Sequence, residues 1–304
     1  MIDSKLKKEL PFYAMLIVPV IITLTYNYLP LIGLSVAFQD FSPSRHGFLY
    51  AIMHSKFVGL DVFKEIGNSP DTARVIFNTV FIASMEIVIK ILVPLVFALL
   101  LNEVTSVWFK KAALTITYLP FFISWVVLGA ILLNFFSPEN GSFNSIIALF
   151  GLKPTFLFGS AGQFPFMVVI TDLWQQIGYN TIIYLAALTS IDLTMYEAAI
   201  MDGAGRLKQT IFVTIPSIAP IVILVVILSM GNIVNLNFNQ IFNLYSPAVY
   251  SSGDVIDTYA FRMGIQQGMF SIATAVGFFK SVVSFIMISI SYFLASKFSN
   301  YKVI

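Results

Sequence analysis

The segment that decides the fold reads YEAAIMDGA at Tyr196–Ala204 and is followed by VTIP at Val213–Pro216. Asp192 stands where a helix N-cap is expected, and an apolar stripe behind it predicts a short helix. Gly203 can adopt a positive φ angle and turn the chain sharply, so a second short helix is predicted over Arg206–Phe212. The residues alone leave two interpretations open: an amphipathic helix lying on a membrane surface, or a docking surface for a partner.

The composition around this segment is that of a protein whose solvent is mostly lipid. Of the 304 residues, 58% are hydrophobic and 11% are charged, against about 45–50% and about 25% in soluble domains. A spanning helix needs about 20 apolar residues, and six stretches qualify: 12–38, 75–101, 113–136, 164–188, 218–242 and 271–297. We predict an all-α integral membrane protein, one transmembrane domain over 1–304 with six transmembrane helices, in which 189–217 forms a folded loop.

The basic residues of the loops indicate how these spans are oriented. With a cytoplasmic N-terminus, the inner side carries nine basic residues and the outer side carries six over longer loops. This bias predicts a multi-pass protein with both termini in the cytoplasm. The 189–217 loop then lies on the inner side.

Motifs for catalysis and for metal binding are missing from the sequence. The chain has no cysteine, no GxxxxGK[ST] phosphate-binding loop, no HExxH and no GxSxG. His46 and His54 both fall in the first outer loop, where we expect solvated side chains rather than metal ligands. A net charge of +2 does not favour nucleic-acid binding. The sequence predicts no enzyme, no metal and no cofactor on this chain, so active transport would need an energy source on another subunit.

The segment at Tyr196–Pro216 resembles the EAA loop of permease subunits in binding-protein-dependent ABC importers. That loop reads EAA, three residues, G, nine residues and I-x-L-P; here Glu197-Ala198-Ala199 is followed by Gly203 and by Val213-Thr214-Ile215-Pro216. In the family this loop forms coupling helices that dock into a groove of the ATPase subunit. The resemblance implies coupling roles for Tyr196, Glu197, Ala198, Ala199, Asp202, Gly203 and Ala204.

Further stretches resemble the LplB-like, sugar-importing branch of the same family. They are Leu10–Tyr13, Phe57–Leu60 with Phe63, Asn78-Thr79, Ala98–Val104, Tyr118–Pro120 with Ser124–Val127, and Asp254–Tyr259. Val62 departs from the polar residue that the family usually has before the phenylalanine. The branch is associated with alginate- and pectin-derived chains, so the resemblance implies an oligosaccharide substrate, with acidic ones among the candidates.

The resemblance also implies what surrounds the chain. It implies an ABC importer type I permease fold with a cytoplasmic coupling-helix loop, in the bacterial cytoplasmic (inner) membrane. A second homologous permease subunit, two ATPase subunits that carry ATP and magnesium, and an extracytoplasmic sugar-binding protein would complete the transporter. The spans would then expose the substrate path to one side and the other by alternating access.

Charged residues inside the predicted spans are costly in lipid and therefore mark candidate sites. Glu86 and Lys90 lie four residues apart and are predicted to form an intramembrane ion pair. That pair could lock helices together or take part in gating. Lys280, near the middle of the sixth span, could neutralise an acidic sugar or pair with a carboxylate of a partner subunit. Asp172 in the fourth span has the same ambiguity.

Amide side chains beside aromatic rings suit a sugar path, because amides bond hydroxyl groups and rings stack on the C–H face of a pyranose. In the fifth span asparagines recur at spacings of 3, 4 and 4 residues, which predicts one helical face. The candidate path residues are Trp174, Gln176, Tyr179, Asn180, Asn232, Asn235, Phe238, Asn239, Asn243 and Lys280. The alternative is that these amides only form hydrogen bonds between helices.

Two other functions compete with ATP-driven import. A self-contained secondary transporter or channel for a small polar solute would need inverted repeats and its own ion site, and the sequence shows neither. An intramembrane enzyme would need a paired nucleophile and base, and the sequence shows none. ATP-driven oligosaccharide import is therefore the leading hypothesis.

Overall fold

The computed structural model describes residues 2–231 and 233–298, with side chains over 12–231 and 233–294. Helices dominate, because a helix bonds its own backbone polar groups where lipid offers no partners. The α-helices are α1 (Ile2–Thr23), α2 (Phe48–His54), α3 (Asp61–Asn68), α4 (Pro70–Glu103), α5 (Val107–Tyr118), α6 (Trp125–Phe135), α7 (Ser142–Leu149), α8 (Phe164–Thr189), α9 (Leu193–Met201), α10 (Arg206–Gln209), α11 (Ile215–Gly231), α12 (Phe238–Leu244), α13 (Tyr250–Gly253), α14 (Ile256–Phe261) and α15 (Phe270–Phe298).

Tighter and wider helical turns and two short strands complete the secondary structure of the described residues. The π-helical turns are Leu24–Tyr28, Thr210–Thr214 and Arg262–Gln266, and the 3-10 turns are Leu29–Phe38, Leu119–Phe122, Leu157–Gly159 and Pro247–Val249. The strands β1 (Gln39–Asp40) and β2 (Lys56–Phe57) pair antiparallel, with Gln39 opposite Phe57.

Four helical segments of the described chain are long and apolar enough to cross a membrane as single spans. They are Phe12–Phe38, Pro70–Glu103, Arg206–Gly231 and Phe270–Leu294. Two bent helix pairs bring the number to six if each counts as one span. The predicted spans 12–38, 75–101, 164–188 and 271–297 each correspond to one helical segment, which confirms those four as continuous.

The third predicted span, 113–136, is not one helix, and its prediction as a continuous span was wrong. Val107–Phe122 and Trp125–Phe135 meet at a bend of 103°. The backbone is extended at Ile123 and Ser124, and the Ser124 hydroxyl accepts a hydrogen bond from the Val127 amide at 3.5 Å, which caps the new helix. Ser124 starts the second helix as its N-cap. The apolar residues on both sides of Ser124 made the segment look like one continuous helix in the sequence.

The fifth predicted span, 218–242, was also wrong in its second half. The helix that contains α11 ends at Gly231, and residues 233–237 are not helical. The Asn237 side chain accepts a hydrogen bond from the Gln240 amide at 3.3 Å and caps the separate helix α12. Asparagine competes for backbone hydrogen bonds in this way, and this lowers its preference for helix interiors.

The loop predicted at 189–217 folds into one separate helix and the start of a span. The first short helix is confirmed as α9, which follows α8 at a bend of 69°. For the second short helix, predicted at Arg206–Phe212, the predicted end was wrong. The chain continues from Arg206 to Gly231 as one helical segment, with a π-helical turn at Thr210–Thr214. The second half of the 189–217 loop is therefore continuous with a helical segment that is long and apolar enough to cross a membrane.

The chain forms two compact units, one from Met1–Ser69 with Tyr259–Phe279 and one from Pro70–Thr258 with Lys280–Ile304. In the first unit Phe38 contacts Phe63 and Phe278, with ring centroids 5.3 and 5.5 Å away. Ala37, Val62 and Ala275 are buried beside these rings. An aromatic core therefore holds the 3-10 turn Leu29–Phe38, α3 and the start of α15 together in this unit. The single transmembrane domain inferred from the sequence stays a prediction.

The second unit is organised around α4 and α8, which pack along much of their length. Helix α5 crosses α8 at Gly178 in very close approach. A β-carbon at Gly178 would lie 2.5 Å from the Tyr118 amide nitrogen and 2.6 Å from the Thr117 carbonyl carbon. Because those neighbours are backbone atoms, no side-chain rotation can make room, and the crossing requires glycine here.

Replacing Gly178 by alanine is expected to destabilise the folded protein by about 1–3 kcal/mol, the usual cost of overpacking a tight contact. The measurement is the apparent melting temperature of the purified chain in detergent. Gly277→Ala is the matched control, since Gly277 is also helical and a β-carbon there meets no atom within 4 Å. Equal melting temperatures for the two variants would contradict the close approach of α5 and α8.

Candidate functional site

Helix α9, which carries the EAA segment, is fixed at both ends by short-range hydrogen bonds. At its start the Asp192 carboxylate accepts a hydrogen bond from the Thr194 amide at 2.9 Å. At its end Gly203 has a φ angle of +74°, and the amides of Gly203 and Ala204 donate to the carbonyls of Ile200 and Ala199, each at 2.9 Å. This is the Schellman arrangement, which glycine favours. The predicted cap and the predicted turn are both confirmed.

The N-cap also changes the acidity of Asp192. Hydrogen bonds from the Thr194 backbone and side chain hold the pKa of this carboxyl below its usual value of 3.8. The folded state therefore gains stability from this group above pH ~4, and it loses that gain as the pH falls through the lowered pKa. Helix α9 keeps this cap at neutral pH.

Contacts on one side tie α9 to the helix that follows it. The Tyr196 hydroxyl lies 2.8 Å from the Thr214 hydroxyl, and the Gln209 side chain donates to the Ala204 carbonyl at 2.7 Å. Arg206 forms an ion pair with Glu103 at 2.8 Å. A displacement of α9 would therefore be carried into the Arg206–Gly231 helix and the end of α4.

The other side of α9 has no cover from the described residues. Leu193, Ile200 and Met201 are exposed, with Met201 87% exposed. The residues singled out in the sequence divide between the two sides: Glu197, Ala198, Asp202 and Gly203 are exposed, whereas Tyr196, Ala199 and Ala204 are half-buried. The apolar stripe expected along one face is thus split. Its Tyr196 and Ala199 part packs inward, and its Leu193 and Ile200 part is left open.

A three-membered charge cluster joins α4 to α8. The predicted ion pair is confirmed, because Lys90 Nζ lies 3.0 Å from Glu86 Oε2. The same ammonium group also pairs with Asp172, whose partner the sequence left open. The Glu86 and Asp172 side chains are 7% and 1% exposed, whereas Lys90 is 29% exposed. Two buried carboxylates therefore hold one partly accessible lysine between two helices.

A cavity of about 170 Å³ lies beside this cluster. Its lining residues are Ala83, Glu86, Ile87, Lys90, Ser229, Asn235 and Leu236. Asn235 is the candidate path residue that the structure brings to the charge cluster. Ser229, in the last turn of α11, was missed in the sequence, because a lone serine in an apolar run gives no signal.

Lys280 has a partner that was not among those expected. Its ammonium group lies 2.7 and 2.8 Å from the two carboxylate oxygens of Asp257, on α14 of the same chain. The sequence pointed instead to an acidic sugar or to a carboxylate of a partner subunit. The sequence did not predict this ion pair, because Asp257 lies 23 residues before Lys280, in a segment that was predicted to be an outer loop.

The candidate path residues of α8 differ in exposure, and one of them, Tyr179, belongs to an aromatic group. Trp174 and Tyr179 are exposed, and Gln176 and Asn180 are half-buried. The ring of Tyr179 stacks on Phe121, with centroids 4.7 Å apart and an interplanar angle of 4°. Phe121 comes from the 3-10 turn at the break of the third span, so the break places an additional ring beside this surface.

The asparagine stripe predicted for the fifth span does not form as one helical face. Asn235 lies in the non-helical residues 233–237, whereas Asn239 and Asn243 lie on α12. The Asn243 amide donates to the Asn239 carbonyl at 2.7 Å, and Phe238 stacks on Phe242 at 5.1 Å. Asn232 lies outside the described residues. The prediction assumed that the asparagines lie on one continuous helix, but the helix ends at Gly231.

Two glutamines that the sequence left out of the path act as structural ties. Gln175 is buried and donates to the Ile123 carbonyl at 3.0 Å, at the break of the third span. Gln240 is buried and donates to the Val168 carbonyl at 2.7 Å. These two side chains therefore form hydrogen bonds between structural elements of the second unit.

The segment that leads into α14 is buried rather than exposed as a loop. The Asn78 side chain donates to the carbonyls of Ser251 and Asp254, and the Thr79 hydroxyl accepts from the Ile256 amide at 3.0 Å. Two neighbouring polar residues of α4 therefore pin this segment by its backbone. Nothing in the spacing of either segment announced their contact.

Removing the lysine of the charge cluster is expected to destabilise the protein strongly. Lys90→Met leaves two buried carboxylates without a counter-ion, at a cost of about 3–5 kcal/mol. The variant that combines Lys90→Met with Glu86→Gln and Asp172→Asn carries no buried charge and is expected to recover most of that loss. Melting temperatures of both variants in detergent test this. If the Lys90→Met variant were as stable as the unmodified chain, that result would contradict a buried charge cluster.

Comparison with known proteins agrees with this arrangement. Residues 91–300 match the family described as "Binding-protein-dependent transport system inner membrane component". Protein LplB of Bacillus subtilis (strain 168) is 39% identical, covering 98% of this chain and 92% of that protein. The polygalacturonan/rhamnogalacturonan transport system permease protein YteP of the same organism is 35% identical, covering 97% and 91%.

A solved structure has the same fold along the whole chain. It is a crystal structure of a bacterial alginate ABC transporter in complex with an alginate pentasaccharide-bound periplasmic protein, with 31% identity, a TM-score of 0.87 and coverage of 99% of both chains. The protein described here belongs to the family of inner membrane components of binding-protein-dependent transport systems.

Proposed function

We propose that this chain is the transmembrane permease subunit of an ATP-driven ABC importer that carries an oligosaccharide into the cell. The observation that carries the proposal is α9: an EAA helix with a fixed N-cap and C-cap, exposed Leu193, Glu197, Ala198 and Met201 on one side, and hydrogen bonds to a span on the other. The sugar class is supported by the relatives, whose names include polygalacturonan, rhamnogalacturonan and alginate.

The proposal includes partners that complete the transporter. A second homologous permease would close the substrate path, two ATPase subunits would carry ATP and magnesium, and an extracytoplasmic binding protein would deliver the sugar. The periplasmic protein bound to the alginate transporter supports the last of these. The chain would lie in the bacterial inner membrane with both termini and α9 on the cytoplasmic side, as the basic residues of the loops suggest.

Coupling in this proposal is mechanical and uses contacts described above. The ATPase would hold the open side of α9 and move it when ATP closes the ATPase dimer. Because Tyr196 bonds Thr214 within the Arg206–Gly231 helix, that motion would pass directly into a span. Helices that shift as rigid bodies between two packed arrangements would then open the path to one side or the other. This chain supplies no catalytic residue.

Reversing the charge of Glu197 is expected to detach the ATPase. Glu197→Lys places a cation on the exposed side of α9 and leaves the cap at Asp192 and the turn at Gly203 intact, so the chain should still insert and fold. The measurement is a pull-down of the tagged chain from its native membrane, assayed for ATP hydrolysis. Lys153→Glu, an exposed charge reversal outside the 189–217 loop, is the control. An ATPase that accompanies both variants equally would contradict the coupling role, and no ATPase with the unmodified chain would favour a secondary transporter.

The turn after α9 is expected to be sensitive to its backbone conformation alone. Gly203→Ala and Gly205→Ala both place a β-carbon where it meets no atom within 4 Å, but Gly203 has a φ angle of +74°. Gly203→Ala should therefore strain the turn by about 1–2 kcal/mol and lower the sugar-stimulated ATPase rate of the assembled importer, while Gly205→Ala should not. Equal rates for the two variants would show that the turn does not set the position of α9.

A further inference from the structure

The cavity beside the Glu86–Lys90–Asp172 cluster has the features of a small polar site inside the span region. Its volume of about 170 Å³ is far larger than the ~10–15 Å³ that one water needs. Charged, hydroxyl and amide side chains line it from α4, from α11 and from the non-helical residues 233–237. Such a space holds several polar groups of a ligand rather than a single water.

The cluster presents one donor to this cavity. A lysine ammonium has three N–H donors, and the ion pairs to Glu86 and Asp172 account for two of them. Lys90 is also the most accessible member, at 29% exposure. The third N–H is therefore available for an oxygen atom that enters the cavity.

The cluster also lacks one donor of its own. Glu86 is more than nine-tenths buried, and its Oε1 atom accepts no hydrogen bond from the residues that the structure describes. A buried acceptor without a donor is costly. A hydroxyl group serves both needs at once, since it accepts from Lys90 and donates to Glu86. A carboxylate can accept from Lys90 but has no proton for Glu86.

The charge balance points the same way. Lys90 is the cation of this cluster and already pairs with both Glu86 and Asp172, so the cluster has no positive charge left over for an anion. The other lysine inside a predicted span, Lys280, is held by both oxygens of Asp257. Within the spans that the structure describes, each of these two lysines is thus already neutralised by carboxylates of the same chain. The carboxylate of a uronate would therefore find no uncompensated cation at the cluster, whereas a neutral sugar unit needs none.

We propose that this cavity is a hydroxyl-binding position of the substrate path, in which Lys90 donates to a sugar hydroxyl and Glu86 accepts from it, and that it takes neutral sugar units in preference to uronates. The inference rests on the proposed function and assigns Glu86, Lys90 and Ser229 a part in sugar selection. It departs from the uronic acid chemistry in the names of the relatives. Asp172 is a positioning residue that holds Lys90 from behind.

The absence of cysteine from the chain allows direct detection of an occupied cavity. Ser229→Cys is a near-isosteric change that places one thiol in the cavity wall. Ser42→Cys, at an exposed position near β1, is the control for reagent access. The complete importer, reconstituted with its partner subunits, its binding protein and ATP, is labelled with a small maleimide. The probes are a neutral pentose oligosaccharide and an oligogalacturonate of equal length.

The expected result is that the neutral oligosaccharide slows labelling of the Ser229→Cys variant and leaves labelling of the Ser42→Cys variant unchanged, with much weaker slowing by the oligogalacturonate. In the background of Glu86→Gln, Lys90→Met and Asp172→Asn, which removes the buried charges together, protection should weaken about tenfold, as for loss of one hydrogen bond from a charged donor. Equal or stronger protection by oligogalacturonate, protection by neither sugar, or protection unchanged in the neutral background would each overturn the inference.

The proposed function is tested separately, by measuring sugar uptake and ATP hydrolysis in vesicles that contain the reconstituted importer. ATP-dependent uptake or sugar-stimulated ATP hydrolysis without protection of the thiol in the Ser229→Cys variant would overturn the hydroxyl-binding position and leave the importer assignment standing. In separate vesicles that contain this chain without any ATPase subunit, uptake of the sugar would overturn the proposed function itself.

Discussion

The contact on which the second unit depends is the crossing of α4 and α8, with Lys90 held between Glu86 and Asp172. A charged group inside lipid is costly unless it is paired, so the sharing of one ammonium by two carboxylates fixes which faces of the two helices meet. The remaining elements of the unit are placed against this pair. Asn78 and Thr79 of α4 bind the backbone before α14, and Gln240 of α12 bonds the backbone of α8.

Polar contacts from the surrounding protein explain why the breaks in the third and fifth spans are tolerated. A helix that stops inside a membrane leaves backbone groups without partners, and such groups survive only where protein or a polar cavity covers them. At the third span the Ile123 carbonyl accepts from Gln175 of α8. At the fifth span Asn237 caps α12, while Asn235 lies at the cavity beside the charge cluster. The irregular backbone therefore lies next to α8 in one case and next to the cavity in the other.

One helical segment, Arg206–Gly231, links two regions of the chain: α9 and the cavity beside the charge cluster. One end of Arg206–Gly231 is bonded to α9, the helix with the uncovered apolar side. Near the other end, Ser229 lines the cavity with Glu86 and Lys90. In the proposed mechanism, a push on α9 would reach the proposed sugar contact along one helical segment.

The sequence by itself determined the membrane class, most of the spans, and the cap and the turn that bound α9. Long apolar runs have no stable alternative to helices in lipid, and the cap at Asp192 and the turn at Gly203 depend only on residues a few positions away. The ion pair of Glu86 and Lys90 was predictable for the same reason, since four residues separate them on one helix. Local rules sufficed wherever cause and effect lie within about one or two helical turns.

Only the tertiary structure decided which distant polar groups meet. Asp172 joins Lys90 from another helix, Asp257 holds Lys280, and Asn235 reaches the cavity because the fifth span ends early. A periodic pattern assumes that the helix continues, and it fails where a capping side chain stops the helix. Long-range pairing also has no signature in spacing, because the loops between partners set no fixed register. Which polar residues lie in and near the spans could be read from the chain, but which of them meet came from the packing of the helices.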